Sequence, residues 1–332
     1  MIQNAYFCTS FSKNDRNKVK KETWRKIKYP VLVAGIHMFI FTVRLLPRKL
    51  ELARFKFRSR LAALLVKKER QKCEQNIKYA YGDSMTDKEV RKMSNKMFEH
   101  LAMNFCDMAY SFHYRTREQF LKIWEVKGEE HLKAAYEQGR GVLVSTCHVG
   151  SWEFSAIAPP ILGYETSAVS APLKNKRIDA LVVGSREARG MKNIHRGKGR
   201  AMPLILKALK RGECLVIMID QDIIAKGCFV DFYDKPAFTT IGAAKIAMEA
   251  DVPIVTMVTR RLPNNKHCVE FFPAIEVTRT GNVNSDLIEN TKRIHAPIEA
   301  LIKESPEQWV WFHERWKRQP ETIDPKLVVK EN

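Results

Sequence analysis

The chain has 332 residues, with 57 Lys and Arg against 37 Asp and Glu and a formal net charge of +20 at pH 7. That length supports one large core plus an appendage, and a hydrophobic content of 45% excludes a polytopic membrane protein. The charge suits an anionic partner, whether nucleic acid, an anionic leaflet, an acidic carrier protein or a phosphorylated substrate. The seven cysteines, at 8, 73, 106, 147, 214, 228 and 268, form no CxxC pair, which points to free thiols in a reducing compartment.

Residues 1–28 form a basic N-terminal segment carrying Lys13, Arg16, Lys18, Lys20, Lys21, Arg25, Lys26 and Lys28, too long and too charged for an ordinary signal-peptide start. Residues 29–46 follow as an apolar anchor helix, with Tyr29–Val43 interrupted only by His37 and Thr42. This run is at the short margin of the roughly 17–25 residues a spanning helix needs. Arg48, Lys49, Arg54, Lys56, Arg58 and Arg60 make its second flank basic as well. A span would place one cationic flank outside, against the positive-inside tendency, whereas a helix lying in the interface satisfies both flanks. The reading is a membrane-associating helix, interfacial in preference to spanning; the competing reading is a soluble core helix.

Residues 47–118 are expected to be a helical scaffold, first a basic helix with Leu52, Phe55, Phe57, Leu61, Leu64 and Leu65. After a break at Gly82-Asp83, Thr86 and Glu89 have the spacing of a capping box. The helix it opens carries an apolar stripe at Val90, Met93, Met97, Leu101, Phe105, Met108 and Phe112.

Residues 119–320 alternate strand and helix patterns, which predicts an α/β fold with a mostly parallel central sheet flanked by helices. Strands are expected at 120–126, around 142–144, and at 165–171, 214–219, 253–259 and 268–272. Helices are expected at 129–138, 178–189, 202–211, 241–250 and 286–303, the last containing Pro297. Residues 186–200 read as a basic, glycine-containing loop, and 321–332 as a tail.

Within this region Val142-Leu143-Val144 reads as a buried strand that ends in His148, followed by Gly150 and by Ser151 as an N-cap for the next helix. The His then lies at the carboxyl edge of a sheet, where open α/β folds carry their chemistry. If the chain turns at Gly150, the Glu153 carboxylate returns to the imidazole, fixing its tautomer and favouring the imidazolium formed on proton uptake. The bland alternative is a chance His-x4-Glu. Cys147 points to the opposite face of the strand and is read as packing. The run 214–219 delivers Asp220 and Asp222 to the same rim as His148.

The segment around His148 resembles the His-x4-Asp/Glu box of glycerolipid and lipid A acyltransferases. The second half is similar to the late acyltransferases of lipid A synthesis in His195-Arg196, Asp220-Gln221-Asp222, Gly227–Val230, Pro236–Thr240 and Pro306–Lys317. The resemblance covers about Tyr29 to Pro320; Asp234, after Phe232-Tyr233, stands where a Gly is expected.

The resemblance implies acyl transfer from a thioester to a hydroxyl, with His148 as general base and Glu153 orienting it. Backbone N–H groups at the start of the Trp152 helix are the expected oxyanion donors. Arg196 would hold a substrate phosphate or carboxylate. Lys192, Lys198 and Arg200 either add to that field or form a solvated loop. Asp220 and Asp222 would bind acceptor hydroxyls or hold Arg196. Two carboxylates at i, i+2 make an incomplete Mg²⁺ cage, so no metal and no cofactor are expected. Trp309, Trp311 and Trp316, with Arg315 and Lys317, either seat the protein at a membrane interface or close the core.

The implied donor is acyl carrier protein or coenzyme A, the acceptor an anionic lipid A-type glycolipid, and the location the cytoplasmic face of a bacterial inner membrane. A lysophospholipid or a mannosylated glycolipid is the alternative acceptor. A membrane-tethered nucleic-acid-binding protein is the rival from another class, and the absence of zinc spacing and of helix-turn-helix or RNA-recognition signatures argues against it.

Overall fold

The computed structural model describes residues 29–331 apart from 44, 63–65, 112–114, 198 and 200. The basic segment 1–28, Leu64, Leu65, Phe112, Lys198 and Arg200 therefore lie outside the described residues. The helices are α1 (29–43), α2 (Arg48–Ala62), α3 (Lys67–Tyr81), α4 (Asp87–Ser111) and α5 (Arg117–Leu121). Then come β1 (Trp124–Lys127), α6 (Glu129–Tyr136), β2 (Val142–Thr146), α7 (Trp152–Ser155), α8 (Ala158–Leu162), β3 (Thr166–Ser170), α9 (Lys176–Glu187), β4 (Met191–His195), α10 (Ala201–Lys210) and β5 (Cys214–Met218). The chain continues through β6 (Gly227–Phe232), β7 (Lys235–Thr240), α11 (Gly242–Ala250), β8 (Ile254–Arg261), β9 (His267–Phe271) and α12 (Val283–Glu304).

The sheet order is β1-β9-β8-β2-β5-β3-β4, with β6 and β7 forming a separate antiparallel hairpin. All pairings in the main sheet are parallel except β8 with β9. The central strand β2 runs beside β5, Val142 opposite Cys214 and Thr146 opposite Met218, and it is buried throughout. Strands covered on both faces have no polar side to show, which is why these segments read as continuous apolar runs. Leu143 and Leu215 pack on the α10–α12 side, whereas Val142, Val144 and Val216 face Phe154 and Ile157 on the other. Because β2 and β5 are neighbours in register, whatever follows Thr146 and whatever follows Met218 emerge side by side.

Several elements depart from the expected pattern. The segment 120–126 is not one strand: Phe120 belongs to the short helix α5, which ends at Leu121, and stacks on Trp124 of β1 with ring centroids 5.0 Å apart. The basic loop 186–200 contains strand β4, which adds to the sheet edge beside β3. The hairpin β6–β7 turns at Tyr233 and Asp234, both with φ of 55°. Left-handed backbone at both turn positions is the geometry that favours glycine, so Asp234 stands at such a position with a side chain in place. Here the Tyr233 N–H donates to Glu299 of α12 at 2.9 Å, and the Tyr233 ring packs against Tyr81 and Trp311. Tertiary packing holds a turn that local preference opposes.

The capping box at Thr86 forms as expected, with the Thr86 N–H donating to Glu89 at 2.8 Å and the Glu89 N–H to the Thr86 hydroxyl at 3.4 Å. The apolar stripe of α4 holds as far as Leu101. Beyond it the helix buries Met103, Asn104, Cys106 and Asp107 and leaves Phe105 48% exposed. Asn104 and Asp107 can be buried because each is fully engaged across the interface with the sheet. Asn104 donates to the Gly150 carbonyl at 2.5 Å, and Asp107 binds His267, Arg261 and Arg48 at 2.8, 2.7 and 2.6 Å.

Helix α1 leaves Val31, Leu32, Met38 and Phe41 exposed, and α2 adds Leu50 and Phe57. Among the described residues no helix is long and apolar enough to cross a membrane.

Candidate active site

The carboxyl ends of β2 and β5 bring His148 and Asp220 together. Asp220 is fully buried, and one of its oxygens accepts from the His148 ring at Nδ1, 2.8 Å away. The other accepts from the His148 backbone N–H and from the Trp309 indole N–H, each at 2.8 Å. Burial alone would favour the neutral acid, but His148 and these donors outweigh it and hold the Asp220 carboxyl well below the usual range. Burial likewise opposes charge on His148; the Asp220 carboxylate, its hydrogen bond and the more distant Glu153 overcome this and raise the imidazole above its ordinary 6.5. An ionised Asp220 accepting at Nδ1 fixes the neutral ring as the Nδ1–H tautomer, leaving Nε2 as the proton acceptor.

The orienting carboxylate is thus Asp220 and not Glu153. Glu153 lies on α7 and makes a two-pronged ion pair with Arg186 of α9, its oxygens 2.9 and 2.8 Å from Nη2. The His-x4-Glu spacing does place both residues on one cavity, but the turn at Gly150 sends the carboxylate toward α9. That turn is tightly held: Gly150 has φ +54°, and a Cβ there would lie 2.3 Å from the Thr259 carbonyl oxygen. Ser151 does not cap α7 with its side chain; its hydroxyl donates to Asn104 at 2.9 Å. Helix α7 is a single turn, too short to carry a helix dipole of consequence.

His148, Glu153, Arg186, Arg196 and Gln221 line a cavity of about 450 Å³ whose remaining wall is largely apolar. Arg196 follows β4 at its rim and is exposed; its backbone N–H donates to Ser170 at 2.8 Å, and its guanidinium makes no hydrogen bond or ion pair among the described residues. Lys192 points elsewhere, bound to Glu165 and Glu213 at 2.7 and 2.9 Å. Asp222 is committed to Arg318, accepting from its backbone N–H at 3.1 Å and pairing with its guanidinium. It fastens the C-terminal segment and does not line the cavity.

That segment also settles the tryptophans. Trp309 and Trp311 are fully buried and Trp316 nearly so, which makes them core and excludes them as an interfacial belt. Arg315 is buried too, donating to Phe238 and Thr239 at 2.7 and 2.6 Å with its face over the Phe232 ring. Cys147 is buried, and burial pushes its thiol far above 9.0, so it is packing and not a nucleophile.

Sequence reasoning missed three participants. Gln221 lies between the two anchored aspartates, its amide nitrogen 3.3 Å from His148 Nε2 and 2.9 Å from His313 Nδ1. His313 meets His148 edge to face at 4.8 Å, and burial with the neighbouring His148 depresses it to about 4. Arg186 falls where the expected helix 178–189 overlaps the expected loop 186–200, with no local pattern to mark it; it lies on α9.

A second, apolar cavity of about 320 Å³ runs between α1, α4 and α9, lined by Ile36, Phe39, Phe105, Ile157 and Leu181 among others. It shares Glu153, Val182 and Arg186 with the first, so the Glu153–Arg186 pair stands between the two. Among the described residues no cluster of His, Cys, Asp and Glu could hold a metal ion.

A paired imidazole with one proton-accepting nitrogen, on a cavity that is part apolar and rimmed by a cation, has the chemistry to remove a proton from a hydroxyl. The chain is also similar in sequence to known proteins. The sequence model of the family described as bacterial lipid A biosynthesis acyltransferase matches residues 18–318. A lipid A biosynthesis acyltransferase of Haemophilus influenzae is 24% identical over 84% of this chain and 86% of its own. The lipid A biosynthesis lauroyltransferase of Escherichia coli is 27% identical over 80% and 84%. A phosphatidylinositol mannoside acyltransferase of Mycobacterium tuberculosis is 22% identical over 58% and 59%.

Proposed function

The chain belongs to the bacterial lipid A biosynthesis acyltransferase family and is an acyltransferase; from that premise we propose that it moves a long fatty acyl group from a carrier-protein thioester to a hydroxyl of a phosphorylated, lipid A-type glycolipid. The observation that carries the mechanism is the His148–Asp220 pair, which leaves Nε2 of this cavity-lining ring as the proton acceptor. The acceptor O–H gives its proton to His148 Nε2 as its oxygen bonds to the thioester carbonyl carbon. The tetrahedral intermediate then expels the thiolate, the C–S bond breaks, and the imidazolium returns the proton to sulfur. Asp220 stabilises the imidazolium throughout. No nucleophile from the enzyme is needed.

The apolar cavity beside the Glu153–Arg186 pair has the character of a site for the acyl chain, and Arg196 at the rim of the catalytic cavity has a guanidinium unengaged among the described residues and available to a phosphate. The carrier-protein assignment draws on α4, where Lys88, Arg91, Lys92 and Lys96 are exposed along one face without an ion pair among the described residues. An acidic carrier would be attracted by such a field. The apolar side chains exposed on α1 and α2, amid the basic flanks, support interfacial seating on the cytoplasmic face of the inner membrane.

The test is transfer by purified protein from acyl carrier thioester to lipid A precursors with and without their phosphates, read by mass spectrometry. Arg196→Ala should lower the rate on phosphorylated acceptor by about 30-fold or more, the weight of one charge-assisted contact of at least ~2 kcal/mol, and Arg196→Lys should recover part of it. An equal loss on both acceptors would refute the phosphate assignment. A preference for mannosylated over phosphorylated glucosamine acceptors would move the substrate to the other class of acyltransferase found among the relatives.

A further inference from the structure

The open nitrogen of His148 is not bare. With Nδ1 committed to Asp220, Nε2 is an acceptor, and the amide nitrogen of Gln221 lies 3.3 Å from it. Against the neutral ring, the amide oxygen turned the same way would face a lone pair, so there the N–H₂ orientation is the one chemistry allows. The same nitrogen is 2.9 and 3.2 Å from the ring nitrogens of His313, which stays neutral near pH 7 and so keeps an acceptor. Gln221 therefore has two partners for its two N–H bonds. Its backbone has little freedom: Asp220 is fixed on His148 and Trp309, and Asp222 on Arg318. The side-chain torsions are its freest coordinates.

Resting on the reading of His148 as base, we propose that Gln221 is a gate on that base: its amide caps Nε2 in the empty enzyme, and the acceptor hydroxyl must take the amide's place, leaving Gln221 held by His313. The cap satisfies a half-buried nitrogen that would otherwise face an apolar wall, and it favours the neutral ring. It opposes Asp220 and Glu153, the anions that favour the imidazolium; Arg186, paired with Glu153, and Arg196 at the rim are the cations on this cavity. Gln221 is thus a positioning residue that competes with substrate.

The proposal makes two demands on Gln221→Leu and, as a check on packing, Gln221→Met. First, the His148 ring, followed by NMR in the empty protein labelled at histidine and assigned by difference with His148→Gln, should titrate about 0.5–1 pH unit higher than in wild type, because a hydrogen bond to the neutral form is gone. Second, KM for the phosphorylated glycolipid acceptor should fall about 2- to 10-fold, since the competitor has been removed. A purely structural residue would raise KM or leave it alone. An unmoved His148 midpoint, or an acceptor KM that is unchanged or higher in both variants, overturns the gate. The NMR arm needs no turnover, so it reads the amide contact even if His148 proves not to be the base.

Discussion

Among the described residues, two buried carboxylate–histidine pairs have equal length and opposite character. His148 meets Asp220 at 2.8 Å, and His267 meets Asp107 at 2.8 Å. In both the carboxyl is held well below its ordinary range. The imidazoles diverge. His148 is raised, whereas burial, with Arg261 and Arg48 beside it, depresses His267 to about 4 in spite of Asp107. His148 keeps 14% of its side chain exposed on a cavity; His267 keeps none, stacked on Trp124 with its Nδ1 lacking a hydrogen-bond partner among the described residues. A carboxylate beside a histidine does not make a base. We propose that it does so where no cation shares the carboxylate and the far nitrogen faces a space from which it can take a proton. Around Asp107 the two arginines claim the charge, and the cluster becomes the bolt between α2, α4 and the β8–β9 edge.

The largest effect expected from breaking this contrast is at the proposed catalytic pair, His148 and Asp220. Asp220→Asn should cost about 10²–10⁴ in kcat, since the imidazolium loses its counter-charge and the tautomer its restraint. Because the anion that raises His148 is gone, the acid limb of kcat/KM should also move to lower pH. A limb that stays in place would show that the raised His148 has another cause.

At the scaffold pair the same deletion should act on stability. Asp107→Ala leaves Arg48, Arg261 and His267 without their anion, and a broken buried pair typically costs about 3–5 kcal/mol. Urea denaturation should show that loss, with kcat per folded molecule little changed. A fall in kcat comparable to that of Asp220→Asn, at full stability, would mean that the two pairs are not separable.

The smallest effect concerns pH. His267 is depressed in the folded state, so the unfolded chain binds the extra proton between its ordinary 6.5 and about 4. Its contribution is present above 6.5 and is lost as pH falls through that window, with a slope of about 1.4 kcal/mol per pH unit per proton. His100 and His313, depressed to about 4, and His295, depressed to about 3, add to the slope. His148 acts in the opposite sense: its contribution is full below 6.5 and fades as pH rises through its raised folded value. His267→Gln should flatten the acid side of the stability curve by about one proton's worth; an unchanged slope would place the titration elsewhere.

Much of this frame was legible in the chain because buried parallel strands announce themselves. The runs at 142–144 and 214–219 put His148 and Asp220 on one rim, and the turn residues after His148 marked where chemistry would sit. What the sequence lacks is the strand order. Nothing local says that β2 and β5 are neighbours, so Glu153, close in sequence, looked like the partner of His148, and Asp220, distant in sequence, looked like a substrate ligand or a support for Arg196. The hairpin β6–β7 was hidden by Tyr233 and Asp234, left-handed residues that tertiary contacts enforce. The polar face of α4 was hidden because Asn104 and Asp107 find their partners far along the chain.

The most direct test of the central claim is the pH dependence of kcat/KM for transfer in the wild-type protein and in purified, folded His148→Ala. The account predicts a wild-type acid limb with its midpoint above 6.5, and a His148→Ala rate at least about 10²-fold lower with that limb abolished. A His148→Ala protein that transfers acyl groups at the wild-type rate would contradict it.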